Sequence, residues 1–96
     1  MQVVITQKAR EDLIGIGDYI AKDNMAAAAG FVLKLKNRCE SIALAPQGYR
    51  SRPEFGPDMR SVVMQSYIIF YKLAEDRIRI MRIVHGSQDF SDIDFG

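Results

Sequence analysis

Cysteine and histidine each occur only once in this 96-residue chain, as Cys39 and His85, and that scarcity excludes several chemistries. One cysteine cannot close an internal disulfide, which fits a reducing cytosol better than an oxidising compartment. Cys39 lies in a helical pattern and reads as a small core or boundary residue. A lone His and a lone Cys at distant positions supply no recognised ligand spacing, so neither a metal nor another cofactor is expected. There is no glycine-rich phosphate loop, GxSxG elbow or His–Cys pairing pattern, which sets aside ordinary nucleotide enzymes and hydrolases. Long apolar runs are missing too. No window approaches the roughly 18 to 20 residues of a membrane span, and the N-terminal stretch lacks the basic and apolar regions of a leader. The expectation is a soluble, cytoplasmic protein.

Net charge is also scarce, at +1. Its distribution is uneven: residues 50–86 carry seven Lys/Arg against four Asp/Glu, and residues 87–96 carry three aspartates and no base. This is too weak a field to argue for nucleic acid on electrostatics alone, because phosphate binding wants a clustered basic face.

What is present is an ordinary globular composition, 48% hydrophobic and 26% charged, in a length that supports one domain over residues 1–96. "QVVIT" is a short β-branched run, and Thr6 at its end can cap a helix. Ala9, Leu13, Ile16 and Ile20 then keep helical spacing, predicting a helix over about residues 7–22. Gly15 and Gly17 each cost it about 1 kcal/mol, so it depends on packing. Asn24 is the candidate cap of a second helix, whose apolar positions run from Ala28 to Ile42 and which Pro46 and Gly48 end. The two helices form an antiparallel hairpin. The small run "AAAAG" leaves open either close helix approach or simple helix propensity.

"APQGYRSRPEFGPD", residues 45–58, reads as an exposed connecting loop. Beyond it lie the runs "MRSVVM", "YIIFYKL" and "RIRIMRIVH", with links short enough for hairpins. Strict alternation in the last run places Ile78, Ile80, Arg82 and Val84 on one face and Arg77, Arg79, Met81, Ile83 and His85 on the other. Both faces are partly apolar near its end, which marks a central strand or one covered from outside. Arg77 and Arg79 read as the solvated face of a strand. The architecture is α+β: β-α-α-β-β-β, a helical hairpin packed on a small, mainly antiparallel sheet.

One enzymatic chemistry survives these exclusions, RNA cleavage by the neighbouring 2′-hydroxyl, which needs a base, an acid and cations for the charge on phosphate. Arg60, Tyr67 or Tyr71, Arg82 and His85 could supply such a set if they converge. The plainer reading is that His85 closes a strand and the tyrosines pack.

The segments "DLIGIGDYIAKDN", "SIALAPQGYRSRPEFG", "MRSVVMQSYIIFYKL" and "RIMRIVHGSQDF" resemble, in order and spacing, the ParE branch of the RelE/ParE superfamily, toxins of type II toxin–antitoxin operons. The resemblance covers almost the whole chain and implies the same β-α-α-β-β-β fold. Met25 departs from a proline common at that point, and Gln88 departs from a basic residue that often follows the small one after His-Gly. What the resemblance implies for function is a non-enzymatic toxin that stabilises the cleaved DNA–gyrase complex, serves plasmid maintenance and is silenced by a cognate antitoxin in a hetero-oligomeric complex. RelE-like relatives instead cut mRNA in the ribosome, and a third alternative is an inactive, antitoxin-binding relative. The ribosomal nucleases are strongly basic and place a tyrosine or other acid–base group near the C-terminus. This chain has neither, so gyrase inhibition without direct nucleic-acid binding is the leading expectation.

Arg60 and Arg82 are the expected anchors for acidic antitoxin residues. Gln88, Phe90, Ile93 and Phe95 are the expected target contacts, because apolar residues on a polar terminal stretch suggest docking; tucking back onto the sheet is the alternative. Arg60, Tyr67, Arg82 and His85 remain the alternative nuclease set.

Overall fold

The computed structural model describes residues 1–95 of the chain. Its elements are β1 (Gln2–Ile5), α1 (Gln7–Ala21), α2 (Met25–Ser41), β2 (Arg50–Ser51), β3 (Met59–Met64), β4 (Tyr67–Ala74) and β5 (Arg77–His85). The five strands form one sheet in the order β1-β5-β4-β3-β2, with β1 parallel to β5 and the other neighbours antiparallel. The hairpin α1–α2 covers one face of this sheet, as the sequence pattern anticipated. No helix among the described residues is long and apolar enough to cross a membrane.

Each helix begins where a polar side chain takes up an orphan backbone donor. The Thr6 hydroxyl accepts from the Ala9 N–H at 3.4 Å and donates to the Ile80 carbonyl at 2.7 Å, so it caps α1 and ties it to β5. Asn24 Oδ1 accepts from the Ala27 N–H at 3.0 Å and opens α2. Ala9, Leu13 and Ile16 of α1 and Ala28, Leu35 and Cys39 of α2 are buried, which is the predicted stripe. Close approach of the helices happens at Gly17, where an added Cβ would sit 3.2 Å from Val32 Cγ2. The "AAAAG" run does not provide it: of those residues only Ala28 is buried, and Gly30 faces open space.

Two expectations need correction. Residues 45–58 are not merely an exposed loop. Arg50–Ser51 pairs with β3, Tyr49 packs against the helix-side core, and Phe55, on a 3-10 turn, packs against Phe70 on the opposite face. A two-residue strand is too short for any periodicity to announce it.

The second correction concerns β5. Phe70 faces Arg82 while Tyr71 faces Ile80, so Met81 is an extra residue, a bulge. Alternation changes phase there. Ile83, not Arg82, joins Ile78 and Ile80 in the helix-side core, and Met81 and Val84 join the opposite cluster. The bulge falls where β1 ends and Thr6 bonds the Ile80 carbonyl.

The face of the sheet away from the helices carries a smaller core of Met59, Phe70 and Val84. It is covered from within the chain by Phe55 and the tail residues Phe90, Ile93 and Phe95. Phe90 and Phe95 meet both Phe55 and Phe70 at ring separations of 5.3 to 6.2 Å, at steep angles. This accounts for the apolar residues on both faces of β5 without an outside partner.

Candidate functional site

Arg82 projects from the bulged part of β5 beyond the end of β1, where its fork meets the carboxylate of Asp12 on α1. Nε–Oδ2 and Nη2–Oδ1 are 2.7 and 2.9 Å, a two-point ion pair whose side chains are only 19% and 15% exposed. The same Oδ2 accepts the Ile83 N–H at 2.9 Å, an edge donor that β1 is too short to satisfy. The remaining Nη1 donates to the Asp94 carbonyl at 2.8 Å. Hydrogen bonding to Asp12 raises the guanidinium pKa above its ordinary value. The acidic partner expected for Arg82 is therefore inside the chain, and the arginine joins α1, β5 and the tail.

Arg60 lies elsewhere. It is opposite Tyr71 on β4, whereas Tyr67 is opposite His85. Its Nη1 donates to the carbonyls of Tyr49 and Gln47 at 2.7 and 3.3 Å, and none of the described ion pairs includes it.

Tyr67, Arg82 and His85 line one shallow depression together with Tyr19 and Gln88. His85 meets Tyr67 edge-on at 5.3 Å, and its Nδ1 lies 2.7 Å from Ser87 Oγ and accepts the Ser87 N–H at 3.1 Å. His85 is the last residue of β5, and its contacts with Ser87 lie in the turn that follows. Burial pushes the Tyr67 phenol pKa up. Tyr71 is fully buried, its hydroxyl donating to the Pro46 carbonyl at 2.6 Å, and burial pushes its pKa up to about 12. Three of the four alternative nuclease residues thus converge, and Arg60 does not join them. Among the described residues no group of three His, Cys, Asp or Glu side chains could hold a metal ion.

Of the four expected target contacts, Gln88 is exposed and Phe90, Ile93 and Phe95 are half-buried on the sheet. The structure takes the tucked-back alternative for these three. Lys8 Nζ holds the Asp94 carboxylate at 3.0 Å, a second tie on the tail.

The outer side of the helical hairpin has a different character. A groove of about 780 Å³ runs between α1 and α2, with Ile14, Met25, Ala29 and Leu33 exposed along it and the less exposed Ala28 and Val32 also lining it. Arg10, Asp18 and Lys36 stand on its rim. Contiguous exposed apolar surface rimmed by charge marks a protein contact. Ile14 and Leu33 were legible as apolar residues off their helices' buried stripes. Asp12 carried no such signal, because its partner is 70 residues away.

Comparison with known proteins gives a consistent result. A sequence model described as "ParE toxin of type II toxin-antitoxin system, parDE" matches residues 3–90. Toxin RelE2 of Caulobacter vibrioides is 36% identical over 87 residues, spanning 91% of this chain and 97% of that protein. Among solved structures, the chromosomal ParDE toxin–antitoxin system of P. aeruginosa superposes with a TM-score of 0.77 at 22% identity, covering 88% of this chain and 95% of that one. At that identity the likeness is one of fold.

Proposed function

This chain belongs to the ParE toxin family of type II toxin–antitoxin systems, and from that premise we propose that it acts in the cytoplasm as a gyrase poison that traps the enzyme on cut DNA. The observation that carries the reading is the state of Arg82. A nuclease of this kind needs a cation able to meet charge developing on phosphate, whereas the Arg82 charge is already paired with the Asp12 carboxylate and each of its three nitrogens donates to Asp12 or Asp94. The tail adds no tyrosine, lysine, arginine or histidine after His85.

A toxin of this class has a cognate antitoxin. We place its contact in the groove along α1 and α2, where an amphipathic segment would bury Ile14, Met25 and Leu33 while folding on binding. Arg60, with only Nη1 engaged, is the arginine that remains for an acidic antitoxin residue. For the target contact we assign the outer surface of the tail, with Gln88 exposed and Phe90, Ile93 and Phe95 fixing its path.

One specific observation favours a second reading, ribosome-dependent mRNA cleavage: Tyr67, Arg82 and His85 share a depression. The deciding experiment incubates antitoxin-free protein with gyrase, ATP and supercoiled DNA, beside a ribosome-programmed mRNA cleavage reaction. Linear DNA with intact mRNA supports the gyrase reading. Cut mRNA with intact DNA replaces it with the second reading, and no effect in either leaves an inactive, antitoxin-binding relative.

A further inference from the structure

Seven cations fall between residues 50 and 86, and the sheet sorts them by face. Register puts Lys72 of β4 directly opposite Arg79 of β5, with Arg77 two residues along. All three lie on the face away from the helices, since the intervening Leu73 and Ile78 belong to the helix-side core. Arg77 and Arg79 are exposed and Lys72 is half-buried. Among the described residues the ion pairs are Lys8–Asp94, Arg52–Glu54 and Arg82–Asp12, and none involves these three. Asp58, Glu75, Asp76 and Glu11 are the nearby acids by position, and none of them forms an ion pair with the trio.

Like charges directly opposite each other on a sheet destabilise it. Here no ion pair within the described chain relieves the repulsion, so the arrangement suits an external anion. The flanking positions on the same face are Gln2, Val4 and Ala74. The large apolar neighbours, Met59 opposite Lys72 and Met81 and Phe95 beside Arg79, are buried or half-buried in the second core, which leaves no exposed aromatic or large apolar anchor of the kind a protein partner needs. Phosphate backbone needs none, because its contacts are charge-assisted and sequence-independent. Arg77 and Arg79 are about 6.6 Å apart along the strand, and Lys72 and Arg79 are about 5 Å apart across it. Such a triangle can meet successive phosphates of one strand.

We propose that Lys72, Arg77 and Arg79 form a contact surface for the phosphate backbone of duplex DNA. The inference rests on the gyrase reading, in which the toxin acts beside a DNA segment held by the enzyme, and it names DNA as a second partner there. It departs from the expectation of no direct nucleic-acid contact because register gathers on one face cations that the net charge of +1 conceals. The antitoxin groove lies on the other side of the sheet, against which the helices pack.

The test uses the full antitoxin-free chain and a fluorescent mixed-sequence 30-base-pair duplex without gyrase, titrated by anisotropy between 50 and 200 mM salt. Three phosphate contacts give a log–log salt slope of about −2.7, an affinity loss of about 40-fold across that range. Each of K72Q, R77Q and R79Q lowers the slope by about 0.9, and the triple variant removes most of the salt dependence. The triple variant keeps antitoxin capture and does not unfold at lower temperature, because the substitution relieves repulsion. Salt-independent binding by the parent chain, or an unchanged slope in the triple variant, overturns the proposal. So does preference for single-stranded RNA of equal length, or loss of antitoxin capture in the triple variant, which would reassign the surface to RNA or to an acidic peptide. Gyrase trapping is scored separately. Trapping without duplex binding sinks this surface and leaves the gyrase reading, whereas duplex binding without trapping sinks the gyrase reading and leaves the surface.

Discussion

The two faces of the sheet are covered in different ways. On one, two helices of 15 and 17 residues lay down a continuous core in which Leu35, Cys39, Ile42, Ile69 and Tyr71 have no exposure. On the other, a 3-10 turn and an irregular tail bring three phenylalanines and an isoleucine over Met59, Phe70 and Val84, and polar clasps hold the tail in place. Helical coverage follows from repeated local spacing and is deep. Tail coverage depends on a few rings and ion pairs and is thin, and the same face carries Lys72, Arg77 and Arg79. The two coverings thus differ in depth, the helical one deep and the tail one thin.

The largest test of that contrast is Leu35→Ala, which removes a fully buried side chain from the helix-side core and should cost about 2–5 kcal/mol in urea unfolding. A loss below about 1 kcal/mol would mean the helical face is not the stability reservoir. Next comes Asp12→Ala, which strands the Arg82 guanidinium and the Ile83 N–H. Breaking a buried pair costs about 3–5 kcal/mol, and partial exposure here reduces the expectation to about 2 kcal/mol. Phe95→Ala, on the half-buried tail, should cost about 1–2 kcal/mol, short of the roughly 3–5 typical of a core ring. A larger loss would show the second face to be as deep as the first.

Two glycines refine the comparison within the helical layer. Gly15 faces open space, so Gly15→Ala should raise stability by about 0.5–1 kcal/mol through helix propensity. Gly17→Ala should not, because its Cβ would press on Val32. Equal gains at both would mean the helices can part without cost.

The faces should also differ in pH response. Burial pushes Cys39 and Tyr71, both on the helix side, up to about 12 from 9.0 and 10.0. Their folded forms favour the neutral state, so that stability is whole below about pH 9 and is lost as pH rises toward about 12. On the other face, a backbone hydrogen bond and then Arg52 hold the Glu54 carboxyl below its ordinary 4.5. Its contribution is present above about pH 4.5 and fades on acidification, and it is small because the group is exposed. Thermal melts should therefore fall as pH rises from about 9 toward about 11, and Glu54→Gln should change the acid-side profile only slightly.

Much of the fold was legible because it is local. Thr6 and Asn24 announced the helix starts, and the spacing of Ala9, Leu13 and Ile16 announced the buried stripe. The bulge at Met81 was not, since it arises where β1 gives out and Thr6 reaches Ile80, 74 residues away. The tail was ambiguous for a similar reason. Phe90 and Phe95 needed a surface, and the ring that completes it, Phe55, sits in a stretch whose prolines and glycines read as exposed loop. Of the candidate site, the exposed apolar residues of the hairpin left a trace as positions off the stripe. Arg82 was singled out as a charge in need of a partner, but no pattern within β5 could reveal that Asp12 had already supplied one. The cations at 72, 77 and 79 were visible singly, and only register joined them.

The parallel pairing of β1 with β5 has a consequence for the birth of the molecule. β1 is made well before its neighbour β5, and the Thr6–Ile80 tie spans 74 residues. At about 5–20 residues per second, the opening segment waits roughly 4–15 s on the ribosome before its permanent neighbour exists. During that interval the sheet lacks its last strand and the tail clasp cannot close. Synthesis itself thus imposes a delay before the toxin can mature, because β1 cannot be paired until β5 has been made.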